Sequence, residues 1–184
     1  MATRWYRAPE LLYGSRDYTE GVDLWAVGCI LGELLNNCPL FPGENDIDQL
    51  GIVIRNLGSP TEQSWPGVGN LPDYSKITFP DTSGIAYTDM VPEATPGAVD
   101  LLSNLVIYDS SKRLPAKKAL KHPFFYELPF PARSAIFIWK NNIDYFWPEW
   151  TRCGSLERKG LACRARITLQ TYLSISTLRI YSPL

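Results

Sequence analysis

Glu44, Asp46 and Asp48 stand at alternate positions, the opening of a pattern that oxygen-liganding metal sites use. A calcium loop also needs a glycine for its sharp turn and a distant bidentate glutamate. Both are lacking, so the three acids read as favourable charge at a helix N-terminus. Gly67 and Gly69 form a Gly-x-Gly pair, but Pro72 follows where a third glycine is needed and a loop follows where a helix should, so no phosphate cradle is expected. Cys29, Cys38, Cys153 and Cys163 lack Cys-x-x-Cys spacing, and His122 is the chain's one histidine, which leaves little means of building a zinc site. No catalytic residue and no metal ligand is assigned.

The elements that must position the remaining charges are helices. Between residues 24 and 35 apolar side chains occupy nearly every helical azimuth, so a helix here has no polar face for water and is expected to be buried on all sides. Asp23 stands at its N-terminal end, and Cys29 inside it reads as a small core residue. Ile47, Leu50, Val53, Ile54 and Leu57 recur at helical spacing, with Gly58 placed as a C-terminal cap. Ser59-Pro60-Thr61-Glu62 has the capping-box form and predicts a short helix ended by Trp65-Pro66-Gly67. Residues 67–94 are rich in Gly, Pro, Asp and Ser and read as a long functional or mobile loop. Thr95-Pro96 caps a helix expected to run through Ile107, and Pro115 begins a last helix that stops before His122-Pro123. Beyond Tyr126 the periodicity is lost, and residues 135–139 and 169–180 read equally as strands or short helices.

Composition describes an ordinary globular protein: 45% apolar, 20% charged, net charge −1. Residues 1–125 carry 10 basic and 15 acidic groups, and 126–184 carry 8 and 4, so the tail is mildly basic, as solvated surfaces often are. No nucleic-acid or membrane partner is expected. No N-terminal apolar segment precedes a cleavage site and no run approaches a membrane span, so an intracellular protein is expected.

Two stretches carry a resemblance. Residues 3–10, TRWYRAPE, and 22–35, VDLWAVGCILGELL, closely resemble the end of the activation segment and the following buried helix of eukaryotic protein kinases. The wording is that of the group holding the cyclin-dependent and mitogen-activated kinases. PLFPG at 39–43, NDIDQL at 45–50, LGSPTE at 57–62, LPDY at 71–74 and YDSSKRLPAKKALKHPFF at 108–125 follow in the order such kinases show. Within the group the chain looks most like the cell cycle-related branch of the cyclin-dependent kinases. The resemblance runs from residue 2 to about 125 and then stops.

It implies a mainly α fold: a partial kinase C-terminal lobe over 1–125, without the N-lobe or catalytic loop, and an unassigned divergent tail at 126–184. For an intact member it implies phosphorylation of protein serines and threonines with ATP and Mg, a cyclin-like activator or adaptor, and a cytoplasmic or nuclear place. Phosphoryl transfer also needs a Gly-rich loop, a strand lysine with its helix glutamate, an HRD loop and a DFG aspartate. None is present in these residues, so this chain alone is expected to be inactive and to take no cofactor.

The resemblance carries roles over only for the substrate platform and its supports. Thr3 matches the threonine that bonds the catalytic aspartate and lysine; a plain structural hydroxyl is the other reading. Ala2, Arg4, Trp5 and Arg7 resemble the loop that receives the residue after the phosphoacceptor. There the arginine at the Arg7 position takes up a carbonyl, which favours proline in the substrate because proline has no N–H to leave unpaired. Ser-Pro and Thr-Pro proteins are the implied substrates. Glu10 and Arg113 resemble a buried ion pair, with two separate surface charges as the alternative. Asp23 resembles the aspartate that holds the catalytic-loop backbone, and without that loop it reads as a helix cap. Leu71, Pro72, Asp73 and Tyr74 lie in the insert that docks adaptors in relatives; the alternative is a surface loop packing Tyr74 on the domain. Two other functions stand beside the kinase reading: a non-catalytic module binding kinase substrates or adaptors, and a truncated product without function.

Overall fold

The computed structural model describes residues 4–127, and within them every regular element is helical, with no strand. Pro9–Leu12 forms α1, with Pro9 in the first turn, where its fixed φ suits a helix and its missing N–H costs nothing. Gly21–Asn36 is α2, ended by Asn37 in the left-handed conformation (φ 56°) that asparagine tolerates. Asp46–Leu57 is α3, capped by the Asn45 carboxamide accepting from Asp48 N and closed by Gly58 at φ 88°. Tyr87–Met90 is α4, Pro96–Leu105 is α5 under a Thr95 cap, and Ala116–Ala119 is α6. A final 3₁₀ turn, Pro123–Tyr126, is capped by the His122 ring.

The core forms where α2 crosses α5. Trp25, Leu31, Leu101, Leu102 and Leu105 are fully buried there, and Trp25 stacks on Phe41 with ring centres 5.8 Å apart. Leu50, Val53 and Ile54 add the inner face of α3. A second apolar seam is aromatic: Tyr74 meets Tyr13 at 5.4 Å, Tyr13 meets Trp65 at 6.0 Å, and Trp65 stacks on Tyr108 at 5.3 Å.

Several sequence expectations are corrected. α2 is not buried on all sides: Ala26, Ile30 and Glu33 form a partly buried stripe along it, and Asp23 is exposed. An all-apolar circumference calls for neighbours on every side, and the described residues supply them for the rest of the circumference only. Residues 59–65 make turns, not a helix. The Ser59 hydroxyl accepts from Thr82 N instead of capping, and the Glu62 carboxylate reaches forward to Gly67 N at 2.8 Å rather than back to Ser59. α5 stops at Leu105, two residues short of Ile107. Ile47, first of the apolar positions in α3, is 58% exposed because the opening turn of that helix meets the Arg4–Tyr6 turn rather than the core. The 67–94 stretch, expected as one long loop, contains short helical turns at Val68–Asn70, Tyr74–Lys76 and Tyr87–Met90, and Asn36 Nδ2 donates to Met90 O at 2.6 Å. Residues 135–139 and 169–180, with Cys153 and Cys163, lie outside the described residues.

Candidate functional site

Arg4–Tyr6 is one 3₁₀ turn closed by Arg7 N donating to Arg4 O at 2.9 Å. Its backbone is held from behind by Gln49, wholly buried on α3, whose Nε2 donates to Trp5 O at 3.3 Å while its Oε1 accepts from Gly43 N at 2.9 Å. The Trp5 indole N–H donates to Gly43 O at 3.0 Å, closing the clamp. Gly43 is required there because an added Cβ would run into the Gln49 backbone. Tyr6 is tethered to α2 by its hydroxyl, 2.6 Å from Glu33 Oε2.

The two arginines face outward and share a partner. Arg4 Nε lies 3.2 Å from Asp46 Oδ1, and Arg7 Nη1 lies 3.1 Å from each oxygen of the same carboxylate. Arg4 Nη1 also donates to Glu44 O at 2.6 Å. Arg4, Trp5 and Arg7 are thus brought together on one turn; Ala2 and Thr3 lie outside the described residues.

Elsewhere in the fold, Glu10 and Arg113 meet although 103 positions apart. Nη1 and Nη2 of Arg113 reach the two Glu10 oxygens at 2.6 and 2.8 Å, the two-pronged fit that a planar guanidinium allows. The remaining donors serve carbonyls of Gly21, Ile107 and Tyr108. The guanidinium also lies 5.1 Å from the Trp25 ring centre. Trp25 Nε1 is buried without an acceptor among the described residues.

Asp23 sits apart. Its side chain is exposed, with no partner among the described residues, and makes no cap, while its backbone N–H donates to Glu20 O at 3.1 Å. The cap reading of Asp23 is therefore corrected. Leu71, Pro72, Asp73 and Tyr74 lie elsewhere again, against the start of the chain. Asp73 N donates to Tyr13 O at 3.1 Å, Asp73 pairs with Lys76 at 2.7 Å, and the Tyr74 ring meets Tyr13 in a tilted arrangement. Pro72 alone of the four is exposed. Burial pushes the Tyr13 hydroxyl up to about 12, with the nearby Tyr74 adding to it, and burial raises Tyr108 and the Cys29 thiol as well.

Sequence reasoning missed Gln49 and the bridging role of Asp46. The first had a signal, an amide on the inner side of α3 just before Leu50; the second depends on a contact 42 residues away.

The Gly67–Gly69 pair makes no phosphate cradle. Gly67 N is taken by the Glu62 carboxylate, whose Oε1 would lie 3.6 Å from a Cβ on Gly69, so negative charge stands where phosphate would go. Among the described residues no three His, Cys, Asp or Glu side chains are gathered to hold a metal ion, and no helix is long and apolar enough to cross a membrane.

A family model described as the protein kinase domain matches residues 1–125. The chain belongs to the protein kinase family. Within it, similar relatives include cyclin-dependent kinases: cyclin-dependent kinase 20 of Danio rerio is 60% identical over 132 residues, 72% of this chain and 38% of that protein. The Homo sapiens form is 54% identical over the same shares, and probable cyclin-dependent kinase 10 of Dictyostelium discoideum is 46% identical over 71% of this chain and 36% of its own length. The chain thus spans well under half the length of the curated relatives it matches.

Proposed function

We propose that residues 1–125 are the substrate-platform part of the C-terminal lobe of a cyclin-dependent-type serine/threonine kinase, with 126–184 an extension outside it. In the intact protein this platform presents Ser-Pro and Thr-Pro segments for ATP- and Mg-dependent phosphorylation, under a cyclin-like activator. The chain alone binds substrate without catalysing. The observation that carries the reading is the Arg4–Arg7 turn: its backbone is clamped from behind by Gln49 and Gly43, while both guanidiniums stand at the surface. The partly buried stripe of α2 and the unpartnered Asp23 agree with a catalytic loop seated above them in the intact protein.

Selectivity follows from hydrogen bonding. The resemblance implies that the arginine at the Arg7 position takes up a platform carbonyl; among the described residues its guanidinium bonds Asp46. In the intact protein a substrate N–H left without that carbonyl is buried unpaired, at a cost of roughly 1–3 kcal/mol. Proline avoids that cost, so the intact protein should phosphorylate Ser-Pro peptides roughly 5- to 150-fold faster than Ser-Ala peptides in kcat/KM. Equal rates on the two series would sink the reading.

The same geometry supports a non-catalytic role. The platform is formed in a stretch that lacks every ATP-binding part, so it could sequester proline-containing substrates or, through Leu71–Tyr74, an adaptor.

A further inference from the structure

Arg4 and Arg7 lie three positions apart on a 3₁₀ turn, where side chains at i and i+3 eclipse. Two guanidiniums so placed repel each other and would splay apart. Instead they converge on one carboxylate: Asp46 Oδ1 is 3.2 Å from Arg4 Nε and 3.1 Å from Arg7 Nη1, and Oδ2 takes a second contact from Arg7. Asp46 is itself held in place. It opens α3, and the loop before it is fixed by Asn45 accepting from Asp48 N at 2.9 Å and Asp48 accepting from Glu44 N at 2.9 Å.

The magnitude of these contacts says what they are for. The side chains of Arg4, Arg7 and Asp46 are 33%, 37% and 54% exposed, and pairs so open to water add little to stability. The fold already has its anchor in Gln49 and Trp5. What the carboxylate adds is the direction in which two cations point and a net charge reduced from two to one.

We propose that Asp46 is a positioning residue of the substrate platform: by bridging Arg4 and Arg7 it holds Arg7 in the orientation that selects proline after the phosphoacceptor. This rests on the platform reading above.

The test uses the 184-residue chain with fluorescent Ser-Pro and Ser-Ala peptides, read by anisotropy, alongside thermal melts and hydrogen exchange. Asp46→Asn should shrink the Pro-to-Ala affinity ratio about tenfold, speed exchange of the amides at residues 4–8, and leave the melting temperature within about 2 °C. Asp46→Glu, which can still span both arginines, should restore the ratio to within about twofold. Raising the salt should erode the preference of the unchanged chain but not of Asp46→Asn, since exposed pairs are screened. An unchanged ratio in Asp46→Asn, with or without faster exchange, overturns the proposal and leaves Asp46 a surface charge. An unchanged chain that shows no proline preference overturns the platform reading itself, and this proposal with it.

Discussion

Arg113 shows how much one residue can be asked to do. It is 2% exposed and serves a carboxylate, three carbonyls and a ring face at once. An ammonium is a point charge with three donors, so lysine cannot reproduce the fork. Arg113→Lys should therefore cost about 3–5 kcal/mol of stability in urea unfolding, close to what a broken buried pair costs. Glu10→Gln, which strands the guanidinium, belongs in the same range. The buried phenols give a second test at this scale. Burial pushes Tyr13 and Tyr87 up to about 12, above the ordinary value of 10.0. The folded state thus keeps protons that the unfolded state gives up. Stability is whole below pH 10 and falls as pH rises from there toward 12. Ultraviolet titration of phenolate beside alkaline unfolding should show both, and Tyr13→Phe should flatten the loss.

At the scale of elements, α2 and α5 approach closely because α2 carries glycine at the crossing. A Cβ on Gly28 would lie 2.5 Å from Val106 Cγ2 and 3.0 Å from Leu105 Cβ. Replacing glycine by alanine inside a helix ordinarily gains about 1 kcal/mol of helix propensity. Here overpacking of a filled core, about 1–3 kcal/mol, opposes it. Because Leu105 and Val106 close α5 on the core, the second effect wins, and Gly28→Ala should lower the urea midpoint with an unchanged m-value. The 59–65 stretch teaches the converse. Its residues satisfy a helix-start pattern, yet Ser59 and Glu62 find nearer partners in Thr82 and Gly67, and the chain turns instead.

For the whole molecule, the question is what a chain spanning 38% of a relative such as the zebrafish cyclin-dependent kinase 20 can do. Under the proposed reading, substrate recognition needs a surface, and the Arg4–Arg7 turn is the part of the described residues offered for it. Phosphoryl transfer needs a nucleotide held and aligned, and residues 4–127 contain no HRD or DFG motif of the kind that does this in kinases. Isothermal titration of the 184-residue chain with ATP and magnesium should accordingly give no binding heat at micromolar to millimolar nucleotide. Saturable, magnesium-dependent binding would show that residues beyond 127 supply a nucleotide site, and the non-catalytic account of this chain would fall.

The sequence by itself determined the helices whose periodicity or caps are local: α3 from its apolar spacing and Gly58, α5 from Thr95-Pro96, and α2 from its apolar length. The family resemblance of its motifs also implied that Glu10 and Arg113 are partners, and the fold brings their charged groups within 2.6 Å. Such features are legible because each is written in neighbouring residues or in a motif. Only the tertiary structure decided which side of α2 stays partly buried, that 59–65 turns rather than coils, that Asp23 caps nothing, and that Asp46 serves two arginines. Those outcomes depend on which distant group arrives within hydrogen-bond reach, and a carboxylate in a helix's first turn looks the same in sequence whether it faces water or a guanidinium.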